Sequence, residues 1–449
     1  MLLIIAAVYL NLPDQSLPLD SIAVLPLTNM SESDDAEYLS DGITESLINK
    51  LSSLPLLRVV PRSTVFHYKG QEVDVQTVGH DLDVKAVLTG RVVQRGDQLN
   101  IQAELVDVTL GSQLWGDQYN RSMTDIFTLQ EQIARDISRA LQLRLTREEE
   151  GRLARRDTEN IDAYQAYLKG RYHWNKRTVE GLGQAIDYFN QALVADSSYA
   201  LAYAGLADIH ILSGFYGWVV PEDAFPQAIS AASKALELDD TSAESYTSLG
   251  DARLYYEWDW AGAEQAYREA LNLNPEYATT HQWYGTYLSV MGRHDEAITM
   301  LQQAQTLDPL SPVISGTMGY VYYNARRYDK AIEQCLNAIE MFPDFYLTHH
   351  YLATVYAADG RYEEAIDRQR MAVRLSGESV YMKAHLGRIY GVSGHHTEAQ
   401  TILQELREQS KQRYIPTMYF ALVYTGLDDT DQMFAWLDQA YTKRSPLLP

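Results

Sequence analysis

The chain has 449 residues, 46% hydrophobic and 22% charged, a composition that excludes disorder as its overall state, since disorder pairs high net charge with low hydrophobicity. Acidic residues outnumber basic ones 60 to 37, for a formal charge of −23, and a chain without a basic footprint to displace counterions from phosphates is not expected to bind nucleic acid directly. The single cysteine, Cys335, rules out an intramolecular disulfide framework and any Cys-clustered zinc site.

Residues 1–10 read MLLIIAAVYL, an apolar run without a charge. A membrane-crossing helix needs about 20 such residues, and a signal peptide needs basic residues ahead of its apolar stretch. Two readings stand. The run is a short buried strand or helix, or it is the exit half of a transmembrane helix. The second reading makes residues 1–20 a partial membrane segment and linker and attaches the protein to a membrane through its amino terminus. It places the following domains in the periplasm or otherwise outside the cytoplasm, with a cytoplasmic location as the alternative should Met1 be the true start.

Residues 21–156 then read as a small α/β domain. SIAVLPL at residues 21–27 is a continuous apolar run ended by proline, the pattern of a strand covered on both faces. Residues 33–54 place Tyr38, Leu39, Ile43, Leu47, Ile48 and Leu51 on one helical face. Residues 57–60 predict a second strand and 75–82 a short helix. Three β-rich runs follow at 86–94, 99–107 and 113–119, separated by Arg95-Gly96-Asp97 and Leu110-Gly111-Ser112, which predicts an antiparallel meander. Residues 125–145 form an amphipathic helix through Ile126, Leu129, Ile133, Ile137, Leu141 and Leu145, and the Arg- and Glu-rich stretch 146–157 is a helix or charged linker.

The segments SIAVLPLTNMSESDDAEYLSDGITESLINKLSSLPLLRVVPRSTVFHYKG and VGHDLDVKAVLTGRVVQRGDQLNIQAELVDVTLGSQLWGDQY resemble the TolB-like amino-terminal domain, related to the FlgO-type domain. The resemblance implies an α/β domain joined to tetratricopeptide repeats, as in the non-catalytic half of bacterial one-pass membrane kinases, cyclases and winged-helix regulators.

From residue 157 to 445 the sequence repeats. Small residues recur at Gly250, Gly285, Gly319, Ala353 and Gly387 and again at Ala263, Ala297, Ala331, Ala365 and Ala399, while prolines mark Pro275, Pro309 and Pro343. The spacing is 34 or 35 residues, with a helix–turn–helix pattern in each period, and resembles the tetratricopeptide repeat. Gly285 and Ala297 fall where the helices of one unit cross. Leu249, Tyr284, Met318, Leu352 and Leu386 face the seam, with Tyr322, Tyr356 and Tyr390 one turn further on. Unit two carries an insertion at residues 214–221 with Phe215, Tyr216 and Trp218, and unit three has one extra residue near Trp258 and Trp260. Seven to eight units are expected, stacked into a right-handed superhelix with a concave groove. The fold class is therefore a small mixed-sheet α/β domain followed by an all-α repeat array.

The repeat register turns Gln282, Thr286, Tyr320, Tyr323, Asn324, His350, Thr354 and Arg388 toward that groove. Tyrosine supplies a large contact area and a polar tip at little entropic cost, which suits a wall that holds a protein or peptide; the competing reading is that these tyrosines pack between units. From Asp157 onward there are 38 acidic and 22 basic residues, which favours a basic partner on steering grounds. The motifs of phosphate-binding loops, zinc proteases, serine hydrolases and kinases are absent, so no cofactor, metal or catalytic residue is assigned. His349-His350 and His395-His396 invite a metal reading, yet neighbours on a helix point about 100° apart and do not chelate alone. The function expected is a non-enzymatic, membrane-proximal interaction scaffold; the alternative is the sensory or regulatory region of a signalling protein.

Overall fold

The computed structural model describes residues 19–31, 36–176 and 178–449. The apolar run at residues 1–10 and the expected membrane segment lie outside the described residues, and among the described residues no helix is long and apolar enough to cross a membrane. Two compact units divide the chain, Met1–Arg156 and Asp157–Pro449.

The first unit is built on one mixed sheet. Its strands are β1 (Ser21–Val24), β2 (Thr28–Asn29), β3 (Arg58–Val59), β4 (Ala86–Arg95), β5 (Gln98–Asp107) and β6 (Ser112–Ser122). Their order is β3-β1-β4-β5-β6, with β2 alongside β4. β1 runs parallel to both neighbours, Ile22 facing Val59 on one side and Ala86 on the other. That placement explains its unbroken apolar run, since every side chain is buried. β4, β5 and β6 form the antiparallel meander, and alternate residues of β5, from Leu99 through Leu105, enter the core.

Helices α1 (Glu37–Ser52), α2 (Arg62–Val65), α3 (Val75–Asp81), α4 (Ile126–Ala140) and α5 (Arg147–Ala154) complete this unit. α2 follows Pro61 and spans a single turn, too short for hydrophobic periodicity to register. α4 stops five residues before the sequence-based limit, and Gln142 just beyond it adopts a positive φ of 60°. α5 begins on a capping box in which the Thr146 hydroxyl accepts from the Glu149 amide and the Glu149 carboxylate accepts from the Thr146 amide. On α1, Lys69 bridges Glu37 and Asp41 at 2.6 Å each, and Arg62 holds Glu45 at 2.9 Å. Burial outweighs Lys69 at Asp41 and raises its carboxyl above the ordinary value.

The second unit is an all-α tetratricopeptide superhelix with eight helix pairs among the described residues. The pairs are Ile161–Asn175 with Val179–Ala195, Ala200–Phe215 with Pro221–Leu238, Ala243–Ala252 with Trp260–Leu273, Ala278–Val290 with His294–Leu307, Pro312–Asn324 with Tyr328–Met341, Tyr346–Ala358 with Tyr362–Leu375, Val380–Val392 with His396–Ser410, and Thr417–Gly426 with Thr430–Thr442. They are called units one to eight below.

Close packing sets the small-residue columns. A Cβ on Gly285 would lie 2.0 Å from the Leu301 side chain and 3.2 Å from the Ala297 carbonyl oxygen, so only glycine lets the two helices of unit four approach this closely. Cys335 is fully buried with its sulfur against the same column at Gly319, and burial pushes its thiol up to about 12. The extra residue of unit three is taken up as a π-helical turn, Arg253–Glu257, that ends in Trp258 with a left-handed φ of 59°. His281 and His349, two periods apart, each bring Nε2 within 2.7–2.8 Å of a preceding proline carbonyl, Pro275 and Pro343. They tie a first helix to the turn before it.

Candidate functional site

The inner wall of the array is aromatic because one helix face per unit looks inward and the units repeat it. Tyr320 lies with its ring centroid 5.3 Å from Tyr351 and 6.3 Å from Tyr323, and Tyr323 continues to Tyr328 at 6.0 Å. In unit seven Tyr381 meets His350 at 5.7 Å, His385 at 4.8 Å and Tyr419 of unit eight at 5.7 Å. On the other side Tyr255 touches Phe215 at 5.1 Å and Trp283 at 6.2 Å. Burial raises the hydroxyl pKa of Tyr255, Tyr351, Tyr381 and Tyr419, with neighbouring phenols adding to the shift.

The wall is not an open trough. Tyr216, from the insertion in unit two, reaches Tyr381 with ring centroids 6.4 Å apart. The Tyr419 hydroxyl donates to the Tyr216 carbonyl at 3.2 Å. Gly217 takes a left-handed φ of 68° against Pro416, where a Cβ would come within 2.2 Å of the proline ring. A second contact closes the outer side: the Arg444 guanidinium donates to the carbonyls of Tyr256 and Glu257 at 3.0 and 3.2 Å, lies 4.9 Å from the Trp258 ring centre, and Trp258 stacks on Tyr441 at 5.2 Å. Units two and three thus meet units seven and eight, so the expected concave groove is bridged by the chain's own residues at that end, while the wall of units five to seven stays partly exposed.

The eight positions expected to face a partner divide by burial. Gln282, Thr286 and His350 are buried. The Thr286 hydroxyl donates to the Gln282 carbonyl, and His350 Nδ1 lies 3.0 Å from Gln369 Oε1. Tyr320, Tyr323, Asn324, Thr354 and Arg388 remain half-buried; Asn324 donates to the Ser289 hydroxyl and Thr354 to the His350 carbonyl. The accessible stretch is therefore the wall of units five to seven. Tyr216, Tyr351, Tyr381, His385 and Tyr419 belong to the same wall and were not among the eight expected positions, although Tyr351, His385 and Tyr419 share one column of the 34-residue period. The repeat period itself could have found Tyr351, His385 and Tyr419; for Tyr216 the signal was the insertion, whose connection 216–220 carries Tyr216 and Trp218 where a solvated loop would be polar.

Burial lowers the imidazoles of His350, to about 4, and of His385, with Arg388 adding to both shifts. On the first helices of units two and three, Asp251 accepts from the Tyr267 hydroxyl at 2.5 Å and Asp208 accepts from the Ser248 hydroxyl at 2.5 Å. Burial raises the carboxyls of Asp251 and Glu244. Among the described residues no group of three or more His, Cys, Asp or Glu side chains is placed to hold a metal ion.

Comparison with known proteins places both units. The family model for the second domain of HilA/YgeH-like transcriptional regulators matches residues 19–143, and a tetratricopeptide repeat model matches residues 317–379. A Rhizobium meliloti (strain 1021) protein named "Putative adenylate cyclase 3" is 33% identical over 230 residues, 51% of this chain and 39% of that protein. The transcriptional regulator HilA of Salmonella typhimurium is 24% identical over 176 residues, 39% of this chain and 32% of HilA. This chain thus spans well under half the length of either relative. Among solved structures, Pseudomonas aeruginosa PilF aligns over 54% of this chain and 98% of its own, at 19% identity and a TM-score of 0.37. Residues 19–143 are thus similar to the second domain of HilA/YgeH-like regulators, and the repeats that follow are tetratricopeptide repeats, which indicate a protein-protein interaction scaffold.

Proposed function

We propose that this chain is the non-enzymatic regulatory region of a signalling protein, in which the repeat array holds a segment of a partner protein against its inner wall at Tyr320, Tyr323, Asn324, Thr354 and Arg388. The observation that carries the reading is the half-buried aromatic wall of units five to seven, where rigid tyrosines alternate with hydrogen-bonding side chains. Such surfaces combine large contact area with small ordering cost. The excess of acidic residues in the array favours a basic partner. Similarity to a protein named as a cyclase and to a transcriptional regulator supports the signalling context. The finer TolB-like assignment of the α/β domain, attachment to a membrane through residues 1–20 and a position outside the cytoplasm belong to the same proposal; the apolar run at residues 1–10 supports the last two.

Site-specific photo-crosslinking in cells tests the reading. A photoreactive residue at Tyr323 or Thr354 should give one discrete adduct, and the same residue at Leu336, exposed on the second helix of unit five, should not. Equal labelling at all three positions, or none at the inner two, rejects the inner wall as the binding surface. Determining whether coding sequence continues in frame upstream of Met1 into a cyclase, kinase or winged-helix segment tests the regulatory part separately.

A further inference from the structure

Unit two departs from the repeat period in a directed way. In units four to seven the first helix has 13 residues and three residues, 291–293, 325–327, 359–361 and 393–395, lead to the second. In unit two the first helix, Ala200–Phe215, has 16 residues, and five residues, 216–220, precede Pro221. Three added residues lengthen a helix by about 4.5 Å. The result is that Tyr216 and Gly217 reach Tyr381 of unit seven and Pro416 and Tyr419 at the start of unit eight, the last 203 positions from Tyr216 in sequence.

The seat they occupy is specific. Tyr381 presents its ring to Tyr216, the Tyr419 hydroxyl donates to the Tyr216 carbonyl, and Pro416 covers Gly217 so tightly that no Cβ fits. Trp218 stacks on Tyr216 at 5.3 Å, yet Trp218 and Val219 remain 39% and 37% exposed. In a solenoid each unit rests on its own core and its immediate neighbours. A contact between units two and eight is therefore not needed for any unit to fold, and it can be made and broken while the cores persist.

We propose that residues 216–219 are an intramolecular plug, and that a partner segment presenting an aromatic residue followed by glycine displaces it from the seat of Tyr381, Pro416 and Tyr419. The proposal rests on the reading of the array as a scaffold and adds how access to its inner wall is controlled. The plug itself shows the chemistry of the ligand: a ring against Tyr381, a carbonyl for the Tyr419 hydroxyl, and a left-handed residue without a side chain beneath Pro416. The half-exposed Trp218 is where an incoming chain would begin to lift it.

The test uses the full chain and a fluorescein-labelled peptide of residues 213–221 as the probe. Gly217→Ala puts a Cβ where Pro416 stands and expels the plug without altering the seat. Fluorescence anisotropy should show the peptide binding Gly217→Ala at least tenfold more tightly than the unaltered chain, with Tyr419→Phe in the same background reducing that gain. A second variant, Tyr216→Ala, gives the same comparison should Gly217→Ala fail to melt cooperatively by circular dichroism. Equal binding to the unaltered and plug-released chains, or none to a folded plug-released chain, overturns the plug. Crosslinking at Tyr323 and Thr354 would still stand in that case, so the scaffold reading and the plug fail separately.

Discussion

His350 and His385, on the first helices of adjacent units, meet with ring centroids 4.3 Å apart at an interplanar angle of 61°. The Gln369 amide nitrogen donates to the Met382 carbonyl at 2.9 Å, which turns its oxygen toward His350, so the neutral His350 carries its proton on Nδ1. The other groups around the pair are Tyr351, Tyr381 and Arg388. None is an acid that would favour an imidazolium, and burial lowers both imidazoles.

The pair makes stability depend on pH. An imidazole in the unfolded chain titrates near 6.5. Above that pH both histidines are neutral in either state and their contribution is fully present. As pH falls from about 6.5 through the folded value of about 4 for His350, the unfolded chain binds protons first and stability is lost. For His350 alone the loss is on the order of 3 kcal/mol. Thermal melts at pH 7, 5.5 and 4.5 should fall less steeply for a His350→Gln/His385→Gln double variant than for the unaltered chain. Parallel curves would show that other groups govern acid unfolding.

Gly319 offers a test of the helix crossing in unit five. A Cβ there would lie 2.3 Å from the Cys335 sulfur and 3.6 Å from the Ala331 carbonyl oxygen. Gly319→Ala should lower stability by about 1–3 kcal/mol through overpacking. Adding Cys335→Ala should recover part of that loss, because the sulfur is the nearest obstacle. A double variant whose loss equals or exceeds the sum of the two single losses would mean that the backbone, not Cys335, sets the limit.

The sequence made the repeats legible because their spacing is enforced by contact: Gly285 and Gly319 meet the side chains of the second helix, and no larger residue fits. The meander was legible because β5 alternates and Gly96 takes a positive φ at its turn. The closure was not, because its energetics lie in the pairing of Gly217 with Pro416 and of Tyr216 with Tyr381, which nothing local in the sequence relates. The same limit applies to burial at the inner wall. Register places Gln282, Tyr320 and His350 on one face, but only the path of the whole superhelix decides that Gln282 and His350 are covered and Tyr320 half open.

In the α/β domain, the Thr44 hydroxyl joins the connection between β1 and β2 to α1. It accepts from the Leu27 amide at 3.0 Å and donates to the Ser40 carbonyl at 2.8 Å, and Thr44 is fully buried. Thr44→Val keeps the shape and leaves the Leu27 amide without its acceptor, at a cost of about 1–3 kcal/mol. Hydrogen exchange at Leu27 should accelerate in that variant while amides of β5 change little. Uniform acceleration across the domain would indicate that the substitution perturbs packing instead.

Tyr320 and Arg388 separate packing from partner contact on the inner wall. Tyr320 is held between Tyr323 and Tyr351, so Tyr320→Ala removes two ring contacts and half-buried surface, worth about 2 kcal/mol together. Arg388 contributes positive charge beside two imidazoles that its presence disfavours charging, and Arg388→Ala should leave the melting temperature at pH 7 within about a degree of the unaltered value, as surface substitutions do when they break no buried network. The same variant should shift acid unfolding to lower pH, because without the guanidinium the folded His350 and His385 accept protons more readily and the folded state tolerates acid better. Melts of both variants at pH 7 and pH 5 give all four comparisons. An unchanged melting temperature for Tyr320→Ala would show that the ring adds no packing and serves the partner surface alone, and an unchanged acid transition for Arg388→Ala would remove it from the electrostatics of the histidine pair.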